Sequence, residues 1–146
     1  MNEIKNLQKF LEENKNKKII VVGTTCTGKS TLLKNITNAQ DMDELIFSKL
    51  TKEETEYVCE NPWTEEIGNK MNELVNEKIK VEKGKPLFGT VVLDCDIIVY
   101  LDISDRLLKE RVLKRKTSFE NAKNMQKQIL KNIKKSNIPV IKYKVI

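Results

Sequence analysis

A glycine-rich loop that ends in lysine and serine is the part of this sequence with the clearest chemistry. Residues 23–30 follow the spacing G-x-x-x-x-G-K-S, and Thr31 comes next. Glycines let a chain curl until successive backbone N–H groups face one anion, and a following helix N-terminus adds further donors. In that arrangement Lys29 supplies charge to the β- and γ-phosphates, the Ser30 hydroxyl suits Mg²⁺, and Thr31 can reach the α-phosphate. The pattern predicts a site for a nucleoside triphosphate, with ATP and Mg²⁺ as the expected ligands, made by Gly23, Thr24, Thr25, Cys26, Thr27, Gly28, Lys29, Ser30 and Thr31.

The cysteine inside this loop allows two interpretations. Cys26 precedes a predicted helix N-terminus, whose partial positive charge favours a thiolate. That placement suggests a loop whose ligand binding is sensitive to thiol oxidation. The alternative is that Cys26 is a small side chain that fits the loop.

Two aspartates, Asp41 and Asp43, form a D-x-D segment after the predicted loop helix. Mg²⁺ prefers hard oxygen ligands, and a hydroxyl nucleophile needs an acceptor for its proton, so carboxylates suit both tasks. The alternative is that these aspartates cap a helix over residues 43–47.

Arginine use is confined to one short stretch. The chain has 24 lysines but only three arginines, Arg106, Arg111 and Arg115. Arg111 and Arg115 are four residues apart and therefore share one helical face. The planar guanidinium makes paired hydrogen bonds to phosphate oxygens, so this pair is suited to a transferring phosphoryl group. A surface helix that carries arginines by chance is the alternative.

The elements that must position these residues alternate between strands and helices. An amphipathic helix is expected over residues 3–13, a buried strand over 19–22, and a helix from Lys29 onward. Two later helices should begin after the caps Thr51 and Thr64.

The second half of the chain continues the alternation. Residues 87–93 and 97–101 read as strands, yet only residues 94–96 separate them, too few to join parallel strands. Either the two runs form an antiparallel hairpin within 87–102, or residues 89–93 are not a strand. Ser104 should cap one helix and a capping box at residues 117–120 another, before a last strand over 140–145. The expected fold is therefore α/β, three-layered, with a mostly parallel central sheet covered by helices.

The phosphate loop, the D-x-D segment and the run from residue 97 to residue 115 together resemble the small P-loop kinases, the group of nucleoside monophosphate kinases and shikimate kinase. The resemblance covers about half of the chain. It implies that Asp41 lies near Mg²⁺ and Asp43 near the phosphoryl acceptor, while Asp94 is an alternative metal-side acid of Walker B type. Asp102 would then mark the strand end before the lid helix. The glycine-rich acceptor segment of shikimate kinases is missing, so shikimate itself is not the expected substrate.

The amino-acid composition limits the kinds of protein that this chain can be. With 39% hydrophobic and 33% charged residues, the 146 residues are expected to form one soluble domain over 1–146, located in the cytoplasm. The three cysteines form no C-x-x-C pair, and residues 69–72 lack the acid of a guanine-binding N-K-x-D motif. Trp63 either lines an acceptor pocket or packs a helix on the core.

The charge distribution leaves a second function open. Residues 103–146 carry 13 of the 27 basic side chains but only 3 of the 21 acidic ones, in a chain of net charge +6. We expect an ATP- and Mg²⁺-dependent phosphotransferase that acts on a small molecule or nucleotide. The alternatives are an ATPase or nucleotide-binding module that docks nucleic acid through its basic C-terminal third, and a nucleotide-gated partner-binding protein.

Overall fold

A computed structural model of the chain describes residues 2–59 and 64–145. Within these ranges five strands form one parallel sheet in the order β2-β3-β1-β4-β5. The strands are β1 (Ile19–Val22), β2 (Gln40–Asp41), β3 (Leu87–Gly89), β4 (Ile97–Asp102) and β5 (Val140–Lys144). The helices are α1 (Asn2–Glu13), α2 (Lys29–Asn35), α3 (Met42–Phe47), α4 (Lys52–Val58), α5 (Glu65–Lys78), α6 (Asp105–Lys114) and α7 (Phe119–Ser136).

The central strand β1 divides the core into two layers. Its four residues are all buried, and alternate side chains point to opposite faces of the sheet. Ile20 and Val22 join a cluster with residues of α3, α5 and α7, whereas Ile19 and Val21 join one with α1 and α2. Helices therefore cover both faces, and the predicted three-layer α/β fold is confirmed.

The suggested antiparallel hairpin within residues 87–102 is wrong. Strands β3 and β4 both run parallel to β1 and lie on opposite sides of it. The ladder of β3 ends at Gly89. The structure therefore agrees better with the alternative interpretation, in which residues 89–93 are not a strand. The return connection over residues 90–96 buries Val91 and Leu93 in the core instead of pairing its backbone in the sheet.

Helix starts were largely predictable from their caps. Thr51 forms the expected capping box with Glu54, and Thr64 and Ser104 accept from the third residues of their helices. The box predicted at residues 117–120 is wrong by one position, because Ser118 caps α7. Thr117 does not cap the helix. Its backbone amide instead donates a hydrogen bond to Val112 O, beyond the end of α6.

Trp63, for which two roles were considered, lies outside the described residues. None of the helices in the described ranges is both long and apolar enough to cross a bilayer.

Candidate functional site

The loop of residues 23–30, called here the glycine–lysine loop, leaves the carboxyl end of the central strand. The Gly23 amide donates to Gly89 O at 3.3 Å, so the loop starts beside the end of β3. A Cβ on residue 23 would lie 2.8 Å from Leu101 Cβ and 2.9 Å from Thr27 Oγ1. Real side chains do not tolerate such distances, and glycine is therefore required where the loop turns over β4.

Two left-handed residues give the loop its curvature. Cys26 has φ 67° and Gly28, the residue before α2, has φ 93°. This conformation is common for glycine and uncommon for cysteine. The loop therefore adopts a tight, partly strained turn immediately before the helix.

Backbone donors of the loop are left available by this turn. In the ranges that the structure describes, the amide N–H groups of Thr25, Cys26, Gly28, Lys29 and Ser30 donate to no other protein group. Side chains fix the loop from behind instead: Thr24 Oγ1 donates to Ala122 O at 2.6 Å, and Thr27 Oγ1 donates to Thr24 O at 2.8 Å. A curved row of amides next to a helix N-terminus is a place where an anion is stabilised.

The Lys29 ammonium lies across the same loop. It donates to Gly23 O at 2.5 Å, to Thr24 O at 2.7 Å and to Thr27 Oγ1 at 3.3 Å. Burial lowers the pKa of Lys29 from 10.5 to about 8, although the negative charges of Asp43 and Asp41 oppose the shift. The site therefore holds a cation that a bound anion would stabilise.

The D-x-D segment is brought to the loop. Asp41 Oδ1 accepts from Asp43 N at 3.0 Å, so Asp41 caps α3, which begins at Met42. The capping interpretation thus holds for Asp41, and the helix begins at Met42, one residue before the expected start. Asp43 is exposed overall, yet it lines the pocket above the loop. Burial in that pocket is the main cause that raises the pKa of Asp43 above 3.8, and repulsion from Asp41 is the second.

A pocket of about 300 Å³ opens above the loop. Its polar wall contains Lys29, Ser30, Asp43, Arg115 and the loop residues Thr25, Cys26 and Gly28. Its apolar wall contains Phe47, Val58, Met71 and Met125, and Thr90 lies after β3. One cavity thus joins the anion-binding groups to a surface that can take an apolar body.

The three arginines separate in space. Arg115 lines the pocket, whereas Arg111 Nη1 donates to Cys26 O at 3.1 Å and is not among the residues that line it. Arg106 is exposed and lies 3.8 Å from Glu110. Arg111 lies inside α6 and Arg115 is its C-cap, and of these two only Arg115 lines the pocket.

Two of the predicted acids lie away from the loop. Asp94 lines a different groove with Asn72 and Lys135, close to the amino end of β1, where Lys18 N donates to Asp96 Oδ2 at 2.7 Å. The structure therefore does not support Asp94 as a metal ligand beside Ser30. Asp102 ends β4 as expected and is exposed, but it is not part of the pocket wall.

Cys26 is 4% exposed and packs in a cluster with Leu108, Val112 and Ala122. This packing favours the interpretation in which a small side chain fits the loop. The proposed sensitivity to oxidation needs an accessible thiol, which the burial does not provide.

Sequence reasoning missed Thr90 and the apolar wall. Thr90 follows directly after a strand that ends beside β1, a signal that was obscured when residues 90–93 were included in the strand. Phe47, Val58, Met71 and Met125 come from four different helices. Their positions follow the ordinary helical pattern, so only the tertiary structure brings them together.

No family model matches this chain, and no curated protein matches it.

Proposed function

We propose that this protein is an ATP- and Mg²⁺-dependent phosphotransferase of the P-loop type, acting on a small hydroxyl-bearing acceptor. One observation carries the proposal: Thr25, Cys26, Gly28, Lys29 and Ser30, whose amide N–H groups have no protein acceptor in the described ranges, all line one pocket. A row of backbone donors with a lysine at its end is suited to a chain of phosphates. The proposed location is the cytoplasm.

The residues present fit both ligands. The loop amides and Lys29 would hold the β- and γ-phosphates, and Thr31 lies one residue beyond Ser30 for the α-phosphate. The Ser30 side chain is exposed at the first turn of α2 and lines the pocket beside Asp43. Ser30 would hold Mg²⁺ through its hydroxyl oxygen, and Asp41, two residues before the pocket-lining Asp43, would do so directly or through water. Among the described residues no group of three acidic, histidine or cysteine side chains could hold a metal alone.

The proposed reaction transfers the γ-phosphoryl group in line. The acceptor oxygen forms a bond to the γ-phosphorus while the bond to the β–γ bridging oxygen breaks and ADP leaves. Asp43 takes the acceptor proton, a task favoured by its raised pKa. Bound Mg²⁺ would neutralise phosphate charge. Lys29 and Arg115 add positive charge from the protein, so catalysis is mainly positioning and electrostatics.

The first experiment measures nucleotide binding by calorimetry with ADP and with a non-hydrolysable ATP analogue. We expect Lys29→Ala to lose binding, whereas Lys34→Ala, an exposed lysine on the same helix, keeps it. Wild-type protein that binds neither nucleotide would refute the proposal.

Docking on nucleic acid is the second candidate, favoured by the lysines of α7. Lys127, Lys131, Lys134 and Lys135 are all exposed, although Lys131 lies 3.3 Å from Glu65. Salt separates the two functions. Binding to random DNA that weakens steeply with added salt supports docking, whereas turnover that depends on a small acceptor supports the phosphotransferase.

A further inference from the structure

The charges around the pocket indicate which class of acceptor the pocket binds, provided that the proposed phosphotransferase function holds. Its lining residues include two cations, Lys29 and Arg115. Arg115 is the C-cap of α6, one turn beyond Arg111, whose Nη1 donates to Cys26 O, so Arg115 lines the pocket from the side of the loop. Both therefore belong to the part of the pocket that the triphosphate would occupy.

Among the described residues, the rest of the pocket wall offers no cation to an acceptor. Phe47, Val58, Met71 and Met125 are apolar, Thr90 is neutral, and Asp43 is acidic. The other two arginines of the chain are engaged elsewhere, Arg111 at Cys26 O and Arg106 beside Glu110.

An anionic acceptor would meet a penalty at this wall. Its phosphate or carboxylate would leave water for an apolar surface next to Asp43, with no partner to replace the lost hydration. Aromatic and thioether side chains instead favour an apolar or aromatic body, and methionine adapts its shape to such a ligand.

We propose that the acceptor is an uncharged alcohol with an apolar or aromatic body, and that the pocket rejects acceptors that carry a phosphate or a carboxylate. The hydroxyl of such an acceptor points toward Asp43, and its body lies against Phe47, Met71 and Met125. ATP supplies the phosphoryl group; the products are ADP, the phosphate ester of the alcohol and the proton taken by Asp43.

The test compares matched probes that differ in one anionic group. Protein saturated with the non-hydrolysable ATP analogue and Mg²⁺ is titrated by calorimetry with thymidine, uridine and 2-phenylethanol, and with thymidine 3′-monophosphate, uridine 3′-monophosphate and 3-phenyllactate, each of which keeps a hydroxyl that can accept a phosphoryl group. Transfer from ATP to each probe is followed in parallel by product detection. We expect at least one neutral probe to bind and to be phosphorylated, and its anionic partner to bind at least tenfold more weakly.

Arg115→Met supplies a second readout. If Arg115 serves the triphosphate, this variant loses turnover but keeps its affinity for the neutral probe within about twofold. Tighter binding of the anionic partners, or no binding of any neutral probe, overturns the inference. A large loss of probe affinity in Arg115→Met overturns it as well. Because analogue binding is measured first and separately, none of these outcomes is confused with failure of the nucleotide site itself.

Discussion

Arg111 Nη1 donates to the carbonyl oxygen of Cys26 at 3.1 Å and so joins α6 to the turn of the glycine–lysine loop. Since a trans peptide unit directs its C=O and N–H in opposite directions, a donor held on Cys26 O directs the Thr27 amide away from α6. Cys26 has a positive φ of 67°, which an ordinary residue adopts only at a cost. We infer that Arg111 positions the loop and does not touch the phosphoryl group.

Arg111→Met and Arg115→Met therefore have different expected effects, although the two residues lie one turn apart. Loss of the hydrogen bond from Arg111 should weaken ADP binding about 10- to 100-fold, because a charged donor contributes about 1.5–3 kcal/mol. Arg115→Met should change ADP affinity by less than about threefold and lower the turnover rate by about 10²-fold or more. Calorimetry and a steady-state assay with the accepted alcohol measure the two effects.

Arg106→Met is the matched control, since Arg106 is exposed and pairs only loosely with Glu110. It should change neither quantity. If Arg111→Met binds ADP as the wild type does, the positioning role is wrong.

The arginines also show where sequence reasoning stops. Their spacing predicted a common helical face, but it could not reveal that Arg111 bonds to the loop backbone while Arg115 lines the pocket. The strand before the glycine–lysine loop and the helix after it were predictable, because β1 ends at Val22 and α2 begins at Lys29, as the local pattern indicates. Asp94 was misjudged because an acid after an apolar run indicates the end of a strand only when the whole run is strand, and β3 ends at Gly89.

The order of the sheet could not be read from the sequence for a similar reason. Short apolar runs do not show whether they pair in a ladder or cross a face of the sheet, and residues 90–96 cross it with Val91 and Leu93 buried. The apolar wall of the pocket is equally invisible, since each of its residues follows the ordinary core pattern of its own helix.

Gly23→Ala should destabilise the fold and disturb the loop together. The added Cβ would lie 2.8 Å from Leu101 Cβ, so either β4 or the loop must move. Overpacking of this kind costs about 1–3 kcal/mol, measurable as a lower urea midpoint with an unchanged m-value. ADP affinity should fall as well.

Gly84→Ala is the comparison for this change. Gly84 also resists a side chain, with φ 74° and Lys15 O 3.2 Å from the Cβ position, but it lies outside the loop and the pocket wall. It should lower stability and leave ADP affinity unchanged. Equal effects of the two variants on ADP affinity would contradict a local role for Gly23.

Asp43→Asn should remove phosphoryl transfer while preserving the nucleotide site. Loss of a positioned proton acceptor lowers turnover by about 10²- to 10⁴-fold. ADP affinity should stay the same or rise, because a negative charge beside the phosphates has been removed. Glu44→Gln, an exposed change next to it on α3, should affect neither.

The pH profile of wild-type turnover provides a further check on Asp43. Its pKa is raised, so the proton-accepting form is lost as the pH falls, beginning above the ordinary value of 3.8. A turnover rate that stays constant down to pH 4 would remove Asp43 from the reaction.

Lys29 should determine how ADP affinity changes at alkaline pH. Burial lowers its pKa to about 8 in the free protein, and a bound anion favours the protonated form. ADP affinity should therefore be constant below about pH 8 and should fall above it by up to about tenfold per unit. Titrations in EDTA remove the contribution of metal ions, and the phosphates of ADP change little in charge over this range. Lys29→Arg keeps a cation that does not titrate below about pH 12, so any remaining affinity should show no such decline. A wild-type profile that is flat between pH 7 and 9.5, or one that Lys29→Arg reproduces, would exclude Lys29 as the titrating group.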